Sequence, residues 1–493
     1  MTNHPAEHVN PTTNTPDWAA QRIHWVGVAG SGMSGLARMA HAFGASCTGT
    51  DRSPSKTVND LIAHGISVSL DQTGDALPDN TTLLVASAAI PDNHPELQRA
   101  QQQNIPILRY AQMLGRIMSQ HTGVAVAGTH GKSTTTSLLS HILIHAQLDP
   151  SLIVGANCAQ IGGGYRVGSP KRTPATDNTD PASQKMRGGI LVAEACEYAR
   201  SFHHLHPTHA IILNIEADHL DIYNGIDDII KAFHTFASQI HPDGSLLVQH
   251  ELPQRMDVVA GLPCHVETLG FAPQADWHLT INQRTTTLTS RHGDTASYTM
   301  PLPGEHMAYN AAAAAITAHR LGAPWNTITH AINTFQGLDR RMQRIGVIPA
   351  KNDNEVGGGV TVIDDYGHHP TEIDTTLRAL RDAYHPKRLI CVFQPHQHSR
   401  TRFLMEQFAA SFAAADLVIV PEIFFTRDSE LDRQQVRAVH LVSKLRQQGV
   451  AAMHVDPLDA ITEQLKLITQ PGDLVVTMGA GNVNQIAHQL INP

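Results

Sequence analysis

Cysteine is scarce in this chain. Only five occur in 493 residues (Cys47, Cys158, Cys196, Cys264 and Cys391), and no two stand at a paired spacing. That excludes a disulfide framework and a cysteine zinc site, and it fits the reduced thiols of a cytoplasmic protein. Long apolar runs are missing too. None approaches the roughly 20 residues that a membrane span needs, so no membrane partner is expected. Positive charge is not in excess. A net charge of -9 leaves no basic footprint for nucleic acid. The polar, Pro/Asn/Thr-rich start has no signal-peptide core and reads as a disordered tail over 1–20. What remains is a globular composition, 41% hydrophobic and 16% charged, in a chain too long for one core. About three domains are expected, at 21–119, 120–337 and 338–493.

The organising stretch is Gly123 to Thr134. Val124 to Ala127 reads as a buried strand, and Gly128-Thr129-His130-Gly131 cannot continue it. From Ser133 to Ala146 the apolar residues Leu138, Leu139, Ile142 and Leu143 recur at helical spacing. A strand, a glycine turn, Lys132-Ser133 and a helix together form a phosphate cradle. Backbone N–H groups and the helix N-terminus face the anion, Lys132 reaches the outer phosphates and Ser133 can hold Mg²⁺. Val126 stands where the generic motif has its first Gly. A plain strand-to-helix connection would explain the glycines but not the Lys-Ser that follows them.

A second glycine turn opens the first domain. The strand from Ile23 runs into Gly30-x-Gly32-x-x-Gly35, and Leu36 to Ala42 reads as a helix. The next strand, Ala45 to Thr50, ends at Asp51, about 20 residues past the first glycine. That spacing places an acid near a ribose and the glycines at a pyrophosphate. A later strand, Leu83 to Ile90, carries Ser87 at the edge where ligands collect in such sheets.

Further readings follow from the polar residues at strand ends and between them. Gly189 to Tyr198 is apolar and then acidic, with Glu194 and Glu197. Ala210 to Asp221 repeats the design with Glu216, Asp218 and His219. Acids at two strand ends beside a phosphate loop suit Mg²⁺, which takes hard oxygen ligands. Gly163 to Gly189 lacks periodicity and reads as a long flexible loop, and Lys351 to Gly359 as a polar one. Asp276 to Thr299 alternates as a β-hairpin, and His306 and Asn310 share a helix face before Leu321. In the third domain Arg340 and Arg341 suit an anion. Strands ending in Asp364-Asp365-Tyr366-Gly-His368-His369 and Gln394-Pro-His396, together with one closing on Gly479, give another α/β sheet with its site at one edge.

Taken together these stretches resemble the Mur ligases of peptidoglycan synthesis, over about residues 22 to 488. The segments that carry the likeness are Gly30-Ser31-Gly32-Met33-Ser34-Gly35, Gly128 to Ser133, Asn214-Ile-Glu216-Ala-Asp218-His219, Asp364 to Pro370, Phe393-Gln-Pro-His396 and Gly479-Ala-Gly-Asn482. The family loop G-T-x-G-K-[ST] accounts for Val126. The resemblance implies an α/β protein of three domains: a Rossmann-like one, a central P-loop ATPase-like parallel sheet and a C-terminal Rossmann-like one that closes over the site. It implies ATP-dependent joining of L-alanine to the carboxylate of UDP-N-acetylmuramate through an acyl phosphate. By the same resemblance Gly30 to Ser34, with Asp51 and Ser87, hold the UDP-sugar. Gly128 to Thr134 (Thr129, His130, Gly131, Lys132, Ser133), His306, Asn310 and Arg341 hold ATP, and Ser133, Glu194 and His219 hold Mg²⁺. Tyr366, His368, His396 and Arg400 meet the amino acid. Lys132, His219 and His368 are the catalytic candidates, with His219 or His368 as the base that deprotonates the amine.

Three positions depart from the pattern: Cys196 where Asp is commonest, Gln397 where Arg is common and Met307 where Asn is frequent. They bear on the amino-acid pocket rather than on the reaction. Rival expectations are a ligase that adds a preformed tripeptide to the same UDP-sugar, an NAD-dependent oxidoreductase built on Gly30 to Asp51, and a non-catalytic nucleotide sensor. A monomer and a homodimer both fit the sequence.

Overall fold

The structure, a computed structural model, describes residues 17–169, 189–349 and 358–492. The described residues build three sheets in succession. The first has five parallel strands in the order Ser67–Ser69, Ser46–Thr50, Arg22–Val26, Leu83–Ala86 and Ile107–Arg109. The order reverses between Arg22–Val26 and Leu83–Ala86. The glycine turn after the one and Ser87 after the other therefore lie at a switch point, where such sheets open a crevice.

The central sheet has ten strands. Thr122–Ala127 is buried at every position and lies between Ile190–Glu194 and His209–Ile212, parallel to both. Burial on both faces explains its unbroken apolar run. This packing carries three polar ends to one edge: the phosphate loop, the acids after Glu194 and the segment Asn214 to His219. The far side of the sheet continues through Ser245–Gln249 and His265–Gly270 into an antiparallel ribbon, Trp277–Asn282, Thr285–Ser290 and Thr295–Tyr298. The hairpin expected over 276–299 is thus three strands with two turns, because Gln283 turns the chain at φ +54.

The third sheet has six strands. Gln343–Ile348 is antiparallel to Val360–Asp365, and Leu474–Met478, Leu389–Phe393, Leu417–Val420 and Ala452–His454 continue the sheet in parallel. Helices cover both faces of its apolar strands. Among the described residues no helix is long and apolar enough to cross a membrane.

Two boundaries need correction. Of the tail expected over 1–20, residues 1–16 lie outside the described residues, while Trp18–Ala20 form a 3-10 turn. Trp18 packs on Phe43 at 5.8 Å between ring centroids and donates to Gln120 at 3.0 Å, so order begins before residue 21. Of the loop expected over 163–189, residues 170–188 lie outside the described residues. Tyr165–Arg166 instead pairs with Leu152–Ile153 as a sheet edge. Tyr165 is anchored there because Arg38 of the first domain donates to its hydroxyl at 3.1 Å. Residues 350–357 of the polar loop before Val360 also lie outside the described residues.

Candidate active site

The phosphate loop is bent by two glycines. Gly128 holds φ +139 and Gly131 φ +84, a region that glycine enters without strain. A Cβ on Gly131 would stand 2.6 Å from the Asn310 side chain. Asn310 therefore packs on the loop itself. The Asn214 amide clamps the loop from the neighbouring strand: its Oδ1 accepts the His130 N–H at 2.7 Å and its Nδ2 donates to the His130 carbonyl at 3.1 Å. Thr129 Oγ1 accepts the Glu216 N–H at 2.9 Å, so strand and loop are held as one unit.

Lys132 opens the helix Lys132–His145 and turns back over the loop. Its Nζ donates to the Thr129 carbonyl at 3.1 Å and to both Glu197 oxygens, at 3.0 and 2.9 Å. Burial would lower the Lys132 pKa, but Glu197 outweighs it and raises it. Burial would raise Glu197, and Lys132 with His219 holds it below the usual carboxylate range. His219 Nε2 stands 3.6 Å from Glu197 Oε1. Its backbone sits at φ +53, a left-handed conformation of the kind found where a side chain must be aimed at a site. Glu194 is close enough to act on the Lys132 charge and accepts the Gly155 N–H at 2.7 Å. Two carboxylates, an imidazole and the buried helix start at Ser133 thus surround one ammonium. Such an oxygen-rich set suits Mg²⁺. Glu197 was legible in the sequence only as one of two acids at a strand end; its pairing with Lys132, three residues past Glu194, is seen in the structure.

The third lobe brings its cluster against this edge. Tyr366 and His368 are 5.4 Å apart between ring centroids, and His368 and His396 are 6.0 Å apart. Arg400 Nη1 lies 3.4 Å from His396 Nδ1. These four residues come together as expected, but Arg400 is not free. Its Nε and Nη2 donate to Asp218 Oδ1 of the central lobe at 3.1 and 2.8 Å, with both side chains less than a tenth exposed. Burial would raise Asp218, yet Arg400 holds it far below the usual carboxylate range. The expected position of Arg400 at the amino-acid carboxylate is thus taken, in this arrangement, by a carboxylate of the protein. A cleft lined by Asp218, His219, Asp221, Gln397, Ser399 and Arg400 opens beside the pair.

Glu372, absent from the sequence candidates, is the most connected acid in the cleft. It lies 3.3 Å from His130 Nδ1, 3.4 Å from Arg341 Nη1 and 3.5 Å from His368 Nδ1, and it accepts the His368 N–H at 3.0 Å. Burial would raise it, but His130, His368 and Arg341 hold it well below the carboxylate range. Arg341 also lies over the Tyr366 ring at 5.1 Å. The sequence signal for Glu372 was weak, because a Glu three residues past the start of a helix reads first as a cap. It does form that capping box with His369 as well.

In the first lobe, Gly30 precedes the helix Ser31–Ala42 and Ser34 Oγ donates to the Ser31 carbonyl at 3.2 Å. A Cβ on Gly32 would stand 2.6 Å from the half-buried Tyr110 ring, so any larger residue there would have to displace that ring. Met33 is buried in the core beneath the turn. The Asp51 oxygens accept the N–H groups of Ala29 and Arg52, both at 2.8 Å, so Asp51 braces the glycine turn. Ser87 stands across the switch point, 3.2 Å from where a Gly27 Cβ would be.

The half-buried histidines of the cleft give stability a pH dependence. Burial pushes His306 down to about 4, His368 to about 3 and His396 to about 4. Unfolded, each binds a proton near ~6.5 that the folded state refuses, so their contribution is lost as pH falls from about 6.5 toward 4. For His130, burial lowers the pKa but Glu372 and Glu216 outweigh it and push it up to about 9. Its contribution is complete below ~6.5 and is lost as pH rises through about 9. The urea midpoint is therefore expected to peak near neutrality and to fall on both sides. A midpoint that rose steadily from pH 7 to pH 5 would contradict these assignments.

Comparison with known proteins places the chain among relatives. Residues 22–122 match the pattern of the "Mur ligase family, catalytic domain", 126–318 the "Mur ligase middle domain" and 340–481 the "Mur ligase, glutamate ligase domain". The UDP-N-acetylmuramate–L-alanine ligase of Desulfitobacterium hafniense is 35% identical over 475 residues, covering 95% of this chain and 99% of that protein. The enzyme of the same name from Caldanaerobacter subterraneus is 36% identical over 478 residues, covering 96% and 97%. Among solved structures, the UDP-N-acetylmuramate-alanine ligase of Thermotoga maritima shares the fold with a TM-score of 0.71 at 23% identity, covering 96% of this chain and 98% of that one.

Proposed function

The chain belongs to the Mur ligase family, and from that premise we propose that it joins L-alanine to the carboxylate of UDP-N-acetylmuramate with ATP as the energy source. The relatives named for L-alanine support this over addition of a preformed tripeptide, and the Lys132 loop has no part in hydride transfer. The single observation that carries the reading is the convergence of the phosphate loop, the Glu194–Glu197–His219 group and the third-lobe cluster on one cleft.

The chemistry sets what each residue must do. A carboxylate resists attack by an amine because oxide would have to leave. Phosphorylation by ATP gives an acyl phosphate, from which phosphate leaves instead. The first lobe would hold the UDP-sugar at Gly30 to Ser34 and Ser87, with Asp51 bracing the turn. Gly128 to Thr134, clamped by Asn214 and Asn310, would cradle the triphosphate with His306 and Arg341 nearby. Lys132 would leave Glu197 for the phosphoryl group, offsetting charge where it develops. Ser133, Glu194 and His219 would hold Mg²⁺, which when bound neutralises phosphate charge. Arg400 would exchange Asp218 for the carboxylate of L-alanine, placing the amine near His368. His368 is neutral at pH 7, burial having lowered its pKa to about 3, so its ring can accept a hydrogen bond from the amine and orient it.

The test is ATP-dependent phosphate release with UDP-N-acetylmuramate across the twenty amino acids. L-Alanine should give the highest kcat/KM, and product mass should rise by one alanyl residue. Release that needs a tripeptide, or none at all with L-alanine, would remove this reading.

A further inference from the structure

One cluster in the cleft joins a side chain of the phosphate loop to two residues, Glu216 and His369, that the proposed chemistry leaves without a role. His130 Nε2 stands 3.6 Å from Glu216 Oε2, and His369 Nδ1 stands 3.7 Å from the same oxygen. The ligand atoms of the three residues all lie within 4.8 Å of one another. The two imidazole rings are 4.8 Å apart between centroids. Neither nitrogen of His130 forms a hydrogen bond of good geometry, and both are buried.

The surroundings are those of metal-binding histidines. A histidine that binds a metal through one nitrogen commonly gives the other to a carboxylate or a backbone carbonyl, which fixes ring and tautomer. His130 Nδ1 faces Glu372 at 3.3 Å, and His369 Nε2 faces the Ala217 carbonyl at 3.4 Å. Each ring thus has its outer nitrogen engaged and its inner nitrogen turned toward Glu216. Two contacts compete for the inner atoms: Thr371 Oγ1 donates to Glu216 Oε2, and the Thr371 N–H points at His369 Nδ1 from 3.4 Å. Bonds of about 2.0–2.2 Å in a tetrahedral site bring donor atoms to roughly 3.3 Å. The two histidine–carboxylate spacings need to contract by only a few tenths of an ångström, and the histidine–histidine spacing, within 4.8 Å, has to close by up to about 1.5 Å as the lobes tighten.

We propose that His130, Glu216 and His369 form a site for a zinc-class divalent ion that bridges the central and third lobes. Two imidazoles and one carboxylate, with a fourth position open, favour Zn²⁺, Co²⁺ or Ni²⁺ over Mg²⁺, which takes oxygen ligands. The site exists only when His369 is docked, so its ion stabilises the closed arrangement and pins the phosphate loop through His130. Excess zinc therefore inhibits turnover.

The test uses the full chain without nucleotide. Calorimetry with Zn²⁺ alone should show one site, and Co²⁺ alone should give the intense absorption of a tetrahedral complex. Glu216→Gln and His369→Gln should each weaken Zn²⁺ at least tenfold and abolish that absorption. His292→Gln, on an exposed turn, should leave both unchanged. Should His369→Gln lose its helix cap and fail to fold, Glu216→Gln alone decides. Zn²⁺ affinity within twofold of the parent in the folded variants, or only octahedral Co²⁺ absorption in the parent, would overturn the proposal.

Discussion

Lys132→Ala is expected to lower kcat by about a thousandfold or more, the scale seen when a preorganised group facing developing charge is removed. The structure adds a second consequence. Lys132 is the main cationic partner of Glu197, whose side chain is 5% exposed. Removing one member of a buried pair costs about 3–5 kcal/mol when the remaining charge stays unpaired. His219, 3.6 Å away, is then the nearest remaining partner of Glu197. The double variant Lys132→Ala/Glu197→Gln should therefore recover stability while turnover stays lost. Binding of the UDP-sugar, which belongs to the first lobe, should persist in both. Turnover near the parental value in a folded Lys132→Ala protein would remove Lys132 from the chemistry.

Arg400→Ala should have the next largest effect, and on a different constant. The guanidinium joins the lobes through Asp218 and lines the cleft beside it. Its loss strands a buried carboxylate, so the closed arrangement weakens by about 3–5 kcal/mol at most. If Arg400 also receives the amino-acid carboxylate, the KM for L-alanine should rise at least tenfold, well beyond any change in the KM for ATP. Asp218→Asn should act in the milder direction, because the amide oxygen still accepts from Arg400 and competes less with the incoming carboxylate. An unchanged L-alanine KM in Arg400→Ala would leave the residue with a purely structural role between the lobes.

Much of this was legible in the chain itself. Apolar runs ending in Gly-Lys-Ser, in acids or in His-His marked the strands of all three sheets, because a buried parallel strand needs apolar residues throughout and a site needs polar ones where it stops. The partners within the site were harder to read. Glu197 and Glu372 sit among other acids and show their importance only when Lys132 and His130 arrive from elsewhere in the chain. The Asp218–Arg400 pair is separated by 182 residues, and no local pattern announces it. The sheet edge at Tyr165–Arg166 was hidden for a similar reason, since a short polar stretch becomes a strand only because Leu152–Ile153 offers it an edge.

Glu372 has one more implication. A single carboxylate grips the phosphate loop through His130, the third-lobe entry through Arg341 and the histidine turn through His368. It cannot serve all three equally if any of them moves. The position of the phosphate loop and the angle between lobes are therefore expected to shift together. They form one interlock, and a change imposed at either end is felt at the other through the redistribution of one negative charge.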